Sequence, residues 1–269
     1  MGADASQNFR EICRQWRQYR KLSQLDLALE ANVSQRHVSW LETGRSQPSR
    51  EMVVRLSEAM DIPLRKRNSF LQAAGYAAAY TESQLDDPSM KPVLKALTQV
   101  LKHHDPLPAI VVDRFWNMKM KNKAAELLLS LSSNPEAMMI KRGKQKELNV
   151  ALLTLHPEGF RPYIKNWDQA APAFIRRLKS ESIASGDPEL QAQFAEFLQL
   201  AGPVDDSYAA TESLLPVLPL ELKIGDVELS VFSAISTFGT PQDVTTDELR
   251  IEAFYPTDDK TEAFFRSMA

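Results

Sequence analysis

The tightest constraint in the sequence is a run of helix starts and stops crowded between Leu22 and Ser49. Ser23-Gln24-Leu25-Asp26 is a capping-box pattern: a hydroxyl that can accept from free helix N–H groups, with an acid three residues on. The helix it opens is expected to bury Leu25, Leu27, Ala28 and Ala31. Asn32-Val33-Ser34 breaks and restarts the chain. Asn tolerates the left-handed backbone that a tight interhelical turn requires. Ser34 is a good cap for a second helix, with Val38 and Leu41 inward. Thr43-Gly44 closes that helix, since glycine suits the position just past a helix end. Pro48-Ser49 opens the next, whose apolar side is Met52, Val53, Leu56 and Met60. Upstream, Phe9, Ile12, Cys13, Trp16 and Tyr19 recur at helical spacing and predict a helix over about residues 8–20. Downstream, Phe70, Leu71 and Ala74 belong to a last helix. Residues 1–80 thus read as an all-α domain of five short helices.

Two helices joined by a short turn form a helix-turn-helix. The second helix of such a pair fits the DNA major groove, with its N-terminal half at the base edges. Here that half reads Ser34-Gln35-Arg36-His37, with Ser39 and Trp40 one turn on. Gln can bond adenine in two places, and Arg can bond guanine likewise. Gln24 opens the preceding helix, where backbone N–H groups favour a phosphate. Arg45 and Arg50 follow, suited to backbone contact. Glu42 is expected to stabilise the turn, because a carboxylate facing phosphates is unfavourable. Charge agrees: residues 1–80 hold 12 Lys+Arg against 8 Asp+Glu, while the other 189 hold 20 against 27. A basic head on an acidic body suggests that only the head meets a polyanion.

Leu22-Ser23-Gln24-Leu25, Leu27-Ala28, Val33-Ser34, Val38-Ser39, Leu41-Glu42, Gly44-Arg45 and Pro48-Ser49 together resemble the XRE-type, Cro/repressor-like family of transcription regulators. The resemblance implies a phosphate-contacting role for Gln24 and base-facing positions for Gln35, Arg36 and Trp40. Asn32 stands where that family usually has Gly, and either residue can adopt the positive φ of the turn.

Asp86-Asp87-Pro88-Ser89-Met90-Lys91-Pro92 is polar and carries two prolines, so residues 81–92 are expected to be a linker before a second domain over 93–269. There the pattern is mixed. Helices are expected over 92–102, 123–131 and 148–155, along Trp167-Ala171-Phe174-Leu178, after the Asp187-Pro188-Glu189 opening, and over 261–268. Pro172 demands a start or kink. Strands are expected over 109–113, 115–120, 217–224 and 227–235, the last two flanking Gly225-Asp226, and along Leu249-Ile251-Ala253. This is an α+β domain with an antiparallel sheet.

The segments Pro108–Asn122 with Ala124-Ala125, Leu155–Pro162, Ser185–Leu190, Phe238–Val244, Glu248–Glu252 and Tyr255-Pro256 resemble the ligand-binding domain of MmyB-like regulators, which is PAS-like in fold. That resemblance implies an apolar cavity holding a fatty acid or fatty-acyl compound. Phe115, Met118, Met120, Phe160, Phe174, Phe194, Leu198 and Phe232 could line it or simply fill a core. A carboxylate headgroup needs a donor or a positive charge, for which Asn122, His156 and Arg161 are the candidates.

Other classes find little support. No apolar run long enough to span a membrane occurs, and the N-terminus has no basic start or apolar run of a secretory signal. Cys13 is the lone cysteine, which excludes an internal disulfide and fits a reducing cytoplasm. His103 and His104 are adjacent, which is poor metal-ligand spacing. No Gly-rich phosphate loop or Ser elbow appears, and Asp86-Asp87, Asp205-Asp206 and Asp258-Asp259 read as solvated loop ends. The expectation is a cytoplasmic, homodimeric regulator of double-stranded operator DNA, with no enzymatic activity, cofactor, metal or membrane partner. The open alternative is a second domain that is a ligand-free dimerisation or protein-docking module.

Overall fold

The computed structural model describes residues 2–130, 139–142, 145–202 and 217–268; Asp205-Asp206 lie outside them. The chain forms two compact units. The first joins residues 1–90 to the segment 239–247, and the second comprises 91–238 and 248–269.

The first unit carries helices α1 (Gly2–Tyr19), α2 (Gln24–Glu30), α3 (Gln35–Thr43), α4 (Arg50–Ala59) and α5 (Leu64–Ala73). Phe9, Cys13, Leu27, Leu41, Leu56 and Phe70 are buried together in its core, and the Phe9 and Phe70 rings stack 4.7 Å apart. Burial pushes the Cys13 thiol up to about 12, which keeps it an inert packing group. The capping box at Ser23 and Asp26 forms in both directions. Asn32 takes φ +50° and Gly44 φ +76°, the left-handed conformations their positions require. Two expectations are corrected. Leu25 is 50% exposed and Tyr19 is 47% exposed, because the core is closed by Leu27 and Ala28 on α2 and by Phe9 and Cys13 on α1.

Residues 81–90, expected as linker, pack in this unit beside 239–247. Asp243 accepts from Thr81 Oγ1 at 2.8 Å and from the Ser83 N–H at 3.0 Å. The Val244 N–H donates to the Thr81 carbonyl at 2.8 Å. Pro63 precedes α5 and offers no side-chain cap. Asp247 supplies one from far along the chain: its Oδ2 accepts from the Leu64 N–H at 3.1 Å.

The second unit is built on strands β1 (Ala109–Val112), β2 (Met118–Lys121), β5 (Leu220–Ile224), β6 (Val227–Ser236) and β7 (Arg250–Pro256). They form one antiparallel sheet in the order β2-β1-β7-β6-β5, so the first and last strands lie side by side near its middle. This is the PAS-like α+β arrangement expected. A separate hairpin of β3 (Met139–Arg142) and β4 (Gln145–Leu148) was not foreseen. The helices are α6 (Lys91–His104), α7 (Lys123–Ser130), α8 (Val150–Leu155), α9 (Trp167–Ser185), α10 (Pro188–Leu200), α11 (Val244–Glu248), whose first four residues belong to the first unit, and α12 (Asp259–Ser267). Helix α9 runs through Pro172 and starts five residues before it, at Trp167.

The expected strand over 115–120 is the clearest correction. Only Met118 onward is strand; Trp116 takes φ +66°, a conformation that bulky residues avoid. Such a residue costs on the order of 1–3 kcal/mol and persists where its surroundings hold it. Asp113 Oδ1 accepts from the Phe115 and Asn117 N–H groups at 2.8 and 2.9 Å. Asn149, fully buried, donates to the Phe115 carbonyl at 2.7 Å and to Asn117 Oδ1 at 2.9 Å. The Val150 N–H donates to the Trp116 carbonyl at 2.8 Å. This network buries the indole instead of leaving it alternating along a strand.

Candidate functional site

In the first unit, α2, the Asn32 turn and α3 make the helix-turn-helix. Ser34 is the N-cap of α3, its Oγ accepting from the His37 N–H at 3.1 Å. Its hydroxyl is therefore committed to starting the helix that the DNA reading needs. Gln35 and Arg36 are exposed on the first turn, and His37, Ser39 and Trp40 are half-buried. The Arg36 guanidinium stacks over the Trp40 ring at 4.4 Å, which orders a long cation on the exposed face. Arg45 and Arg50 are exposed beyond α3, and Arg50 is the first residue of α4.

Glu42 organises the inner side of this surface. It is 3% exposed. The Arg17 fork grips both its oxygens, at 2.6 and 2.9 Å, and Gln24 Nε2 donates to Oε2 at 2.9 Å. Arg14 stands near and donates to the Glu42 carbonyl at 3.1 Å. Burial opposes the charge on Glu42, but the Arg17 and Gln24 hydrogen bonds and the two arginine charges outweigh it and hold the carboxyl below its usual range. The amide of Gln24, expected at a phosphate, is thus positioned by a buried carboxylate. A glutamate at the end of a helix gave no hint that an arginine two helices earlier would reach it.

In the second unit, helices α7, α8 and α9 and the sheet line a partly open cavity of about 290 Å³. A water molecule takes about 30 Å³, so this is no packing flaw. Of the residues expected to line it, Met118, Phe160, Phe174 and Phe232 do. The others lie elsewhere. Phe115, Phe194 and Leu198 pack in the neighbouring core of α8, α9 and α10. Met120 is half-buried on β2, outside the lining.

The three headgroup candidates also lie outside the lining. Asn122 spends its side chain on backbone, accepting from the Ala109 and Ala125 N–H groups at 3.0 Å and donating to the Leu107 carbonyl at 2.7 Å. His156 Nδ1 accepts from the Glu158 N–H at 3.1 Å, closing a turn. Arg161 donates to the Leu200 carbonyl at 3.1 Å and lies over the Trp167 ring.

Sequence reasoning missed the polar residues that do line the cavity: Thr154, Arg177, Ser233 and Glu252. It also missed Trp116, whose ring meets Phe174 edge-on at 5.2 Å and carries Arg177 on its face at 4.4 Å.

A helix-turn-helix family model matches residues 14–66. The family model described as "MmyB-like transcription regulator ligand binding domain" matches residues 93–268, more than half of the chain. No curated protein matches the chain. Among solved structures, one titled "Structure of an RNA-binding Light-Oxygen-Voltage Receptor" is 14% identical with a TM-score of 0.27, the match covering 96% of this chain and 63% of that one.

Proposed function

The chain belongs to the MmyB-like transcription regulators, with a helix-turn-helix ahead of the ligand-binding domain, and from that premise we propose a one-component regulator that senses a small apolar ligand. Residues 1–80 form its DNA-binding domain, 81–92 follow as a connection whose first ten residues pack with that unit, and 93–269 form its ligand-binding and dimerisation domain apart from 239–247, which belong to the first unit. A cytoplasmic homodimer binds a roughly palindromic operator, its half-sites about one helical turn apart. Gln35, Arg36 and Trp40 of α3 face the bases, while Gln24, Arg45 and Arg50 meet phosphates. The ligand is a fatty acid or fatty-acyl compound that favours one dimer geometry over another.

The observation that carries this reading is the cavity. Interiors pack to the density of organic crystals. A space of about 290 Å³ is far more than ordinary packing leaves, and it is partly open, as a site that a ligand enters must be. A lining rich in Leu, Ala and aromatic side chains with a few polar groups is what small-molecule sites share.

The test is operator binding by the intact chain, with and without a panel of fatty acids and acyl thioesters. A ligand that shifts operator affinity severalfold supports the reading. An operator bound equally tightly with every ligand, by a protein that takes up none of them, overturns the sensor and leaves a dimer scaffold or partner dock.

A further inference from the structure

Among the described residues of the first unit, three arginines lie over aromatic rings: Arg20 over Tyr19, Arg36 over Trp40 and Arg67 over Tyr80. Two of them are spent on the fold. Arg20 Nε donates to the Met60 carbonyl at 2.8 Å, and Arg67 Nε donates to the Ile62 carbonyl at 2.6 Å. Arg36 is the exception: among the described residues, no carboxylate or carbonyl accepts from it. Its stack is also the tightest of the three, 4.4 Å from the ring centre against 5.7 and 5.9 Å. The residue that carries the ring is fixed. Trp40 is half-buried, and its carbonyl accepts from the Arg45 N–H at 2.9 Å, around the left-handed turn at Gly44.

Stacking uses the face of a guanidinium and leaves its N–H edges free, and those edges can bond guanine O6 and N7 together. A stacked arginine has also given up much of its rotamer freedom before DNA arrives, so less is lost on binding. Trp40 stands four residues on, on the same helix face and about 6 Å further along it. That distance spans at most about two base-pair steps of about 3.4 Å. With one face under Arg36, the indole keeps its carbon edge for DNA. A carbon edge has no hydrogen bond to give a base, and its match in the major groove is the C5-methyl group of thymine.

We infer that Arg36 and Trp40 read DNA as one unit: Trp40 positions Arg36 on a guanine and itself meets the 5-methyl group of a thymine within two base pairs of it. The inference rests on α3 lying in the major groove, as proposed above. It names the chemistry of the operator, a methyl-bearing pyrimidine close to a guanine. It also gives Trp40 two roles, positioning its neighbour and setting specificity by its own contact.

The experiment selects binding sites for the full chain from random duplex DNA at fixed salt, then measures affinity for synthetic duplexes of the selected site. Deoxyuridine replaces each thymine of one half-site in turn, which removes the methyl group and nothing else. One such replacement, within two base pairs of a guanine, should weaken binding about threefold to fivefold, the worth of one buried methyl group. Trp40→Ala should erase that loss and lower the preference for the guanine about twofold to fivefold. Trp40→Phe keeps an aromatic face and should keep the guanine preference. The deoxyuridine series uses the parent chain, so it stays informative if Trp40→Ala does not fold.

Equal affinity for every deoxyuridine duplex overturns the inference, and so does a guanine preference that survives Trp40→Ala. In both cases α3 still reads bases and Trp40 only packs. A selected site with no thymine within two base pairs of a guanine overturns it as well. If no sequence is enriched at all, the placement of α3 on the bases falls, and the inference with it.

Discussion

Each unit buries a glutamate, and the two are treated in opposite ways. Glu42 in the first unit is gripped by both arms of Arg17 and by Gln24, and its carboxyl is held below the usual range. Glu252 in the second unit is as deeply buried, but its guanidinium partner stands off at 3.5 Å and its carboxyl is pushed up. The first is saturated: its bonding capacity is spent on joining α1, α2 and α3. The second keeps capacity in reserve beside a cavity. A saturated buried charge marks a scaffold, and an unsaturated one beside empty space marks a place for a ligand.

The largest effect should come from stripping the saturated site. Arg17→Ala leaves Glu42 buried without its main partner, and removing one member of a buried pair costs about 3–5 kcal/mol. The side chains are 13% and 2% exposed, so solvent replaces little of the loss, and about 3 kcal/mol is expected. Urea unfolding measures it. A cost below about 1 kcal/mol would mean Glu42 is no more committed than a surface pair, and the contrast would collapse. Acid should act in the same direction. The depressed carboxyl of Glu42 contributes stability that is present above its unfolded value and is lost as pH falls through the folded one.

The exposed face of the same unit tests whether its buried network serves recognition. Arg36→Ala should weaken operator binding by about 1–3 kcal/mol and relax sequence preference. A binding-site selection with unchanged preference would take Arg36 off the bases. Next is the cap lent to α5 by Asp247. Asp247→Ala should cost about 1 kcal/mol of stability, the usual worth of a helix cap. No change in the urea midpoint would make that contact incidental.

The first unit was largely legible in the sequence because its logic is local. Ser23, Asn32, Ser34 and Gly44 each act within a few residues, and each does in the structure what its chemistry suggests. Glu42 was read as a stabilising residue, but Arg17, 25 positions away, was not seen as its partner. In the second unit the same local rules misplaced Trp116, whose conformation depends on Asp113 and Asn149 together. Arg177 and Glu181 stand four apart on α9, a spacing common on solvated helix faces and so no signal of a cavity. Alternation along Leu249, Ile251 and Ala253 put Glu252 on the opposite side, which a half-exposed strand would give to water. β7 lies between β1 and β6, and Ile251 and Glu252 are both buried, so neither parity there faces solvent. A polar residue inside a central strand is the one sequence signal that could have located this end of the cavity.

The last effect sharpens the comparison through its sign. Glu252 has a folded pKa above its unfolded one, so the folded state binds the proton more tightly than the unfolded chain. Its contribution is fully favourable below the unfolded value and is lost as pH rises through the folded value; beyond that the ionised carboxylate burdens the fold. Glu252→Gln removes that burden and keeps the shape, while Arg177 retains Glu181 as its counter-ion. Unliganded parent and variant should therefore have similar urea midpoints below the unfolded value, with the variant gaining as pH rises from there to the folded value. Glu42→Gln should behave in reverse, losing stability at neutral pH and matching its parent only in acid. If Glu252→Gln is destabilising across the whole range, Glu252 is a second Glu42, tied to Arg177 more firmly than 3.5 Å implies, and it has nothing left over for a ligand.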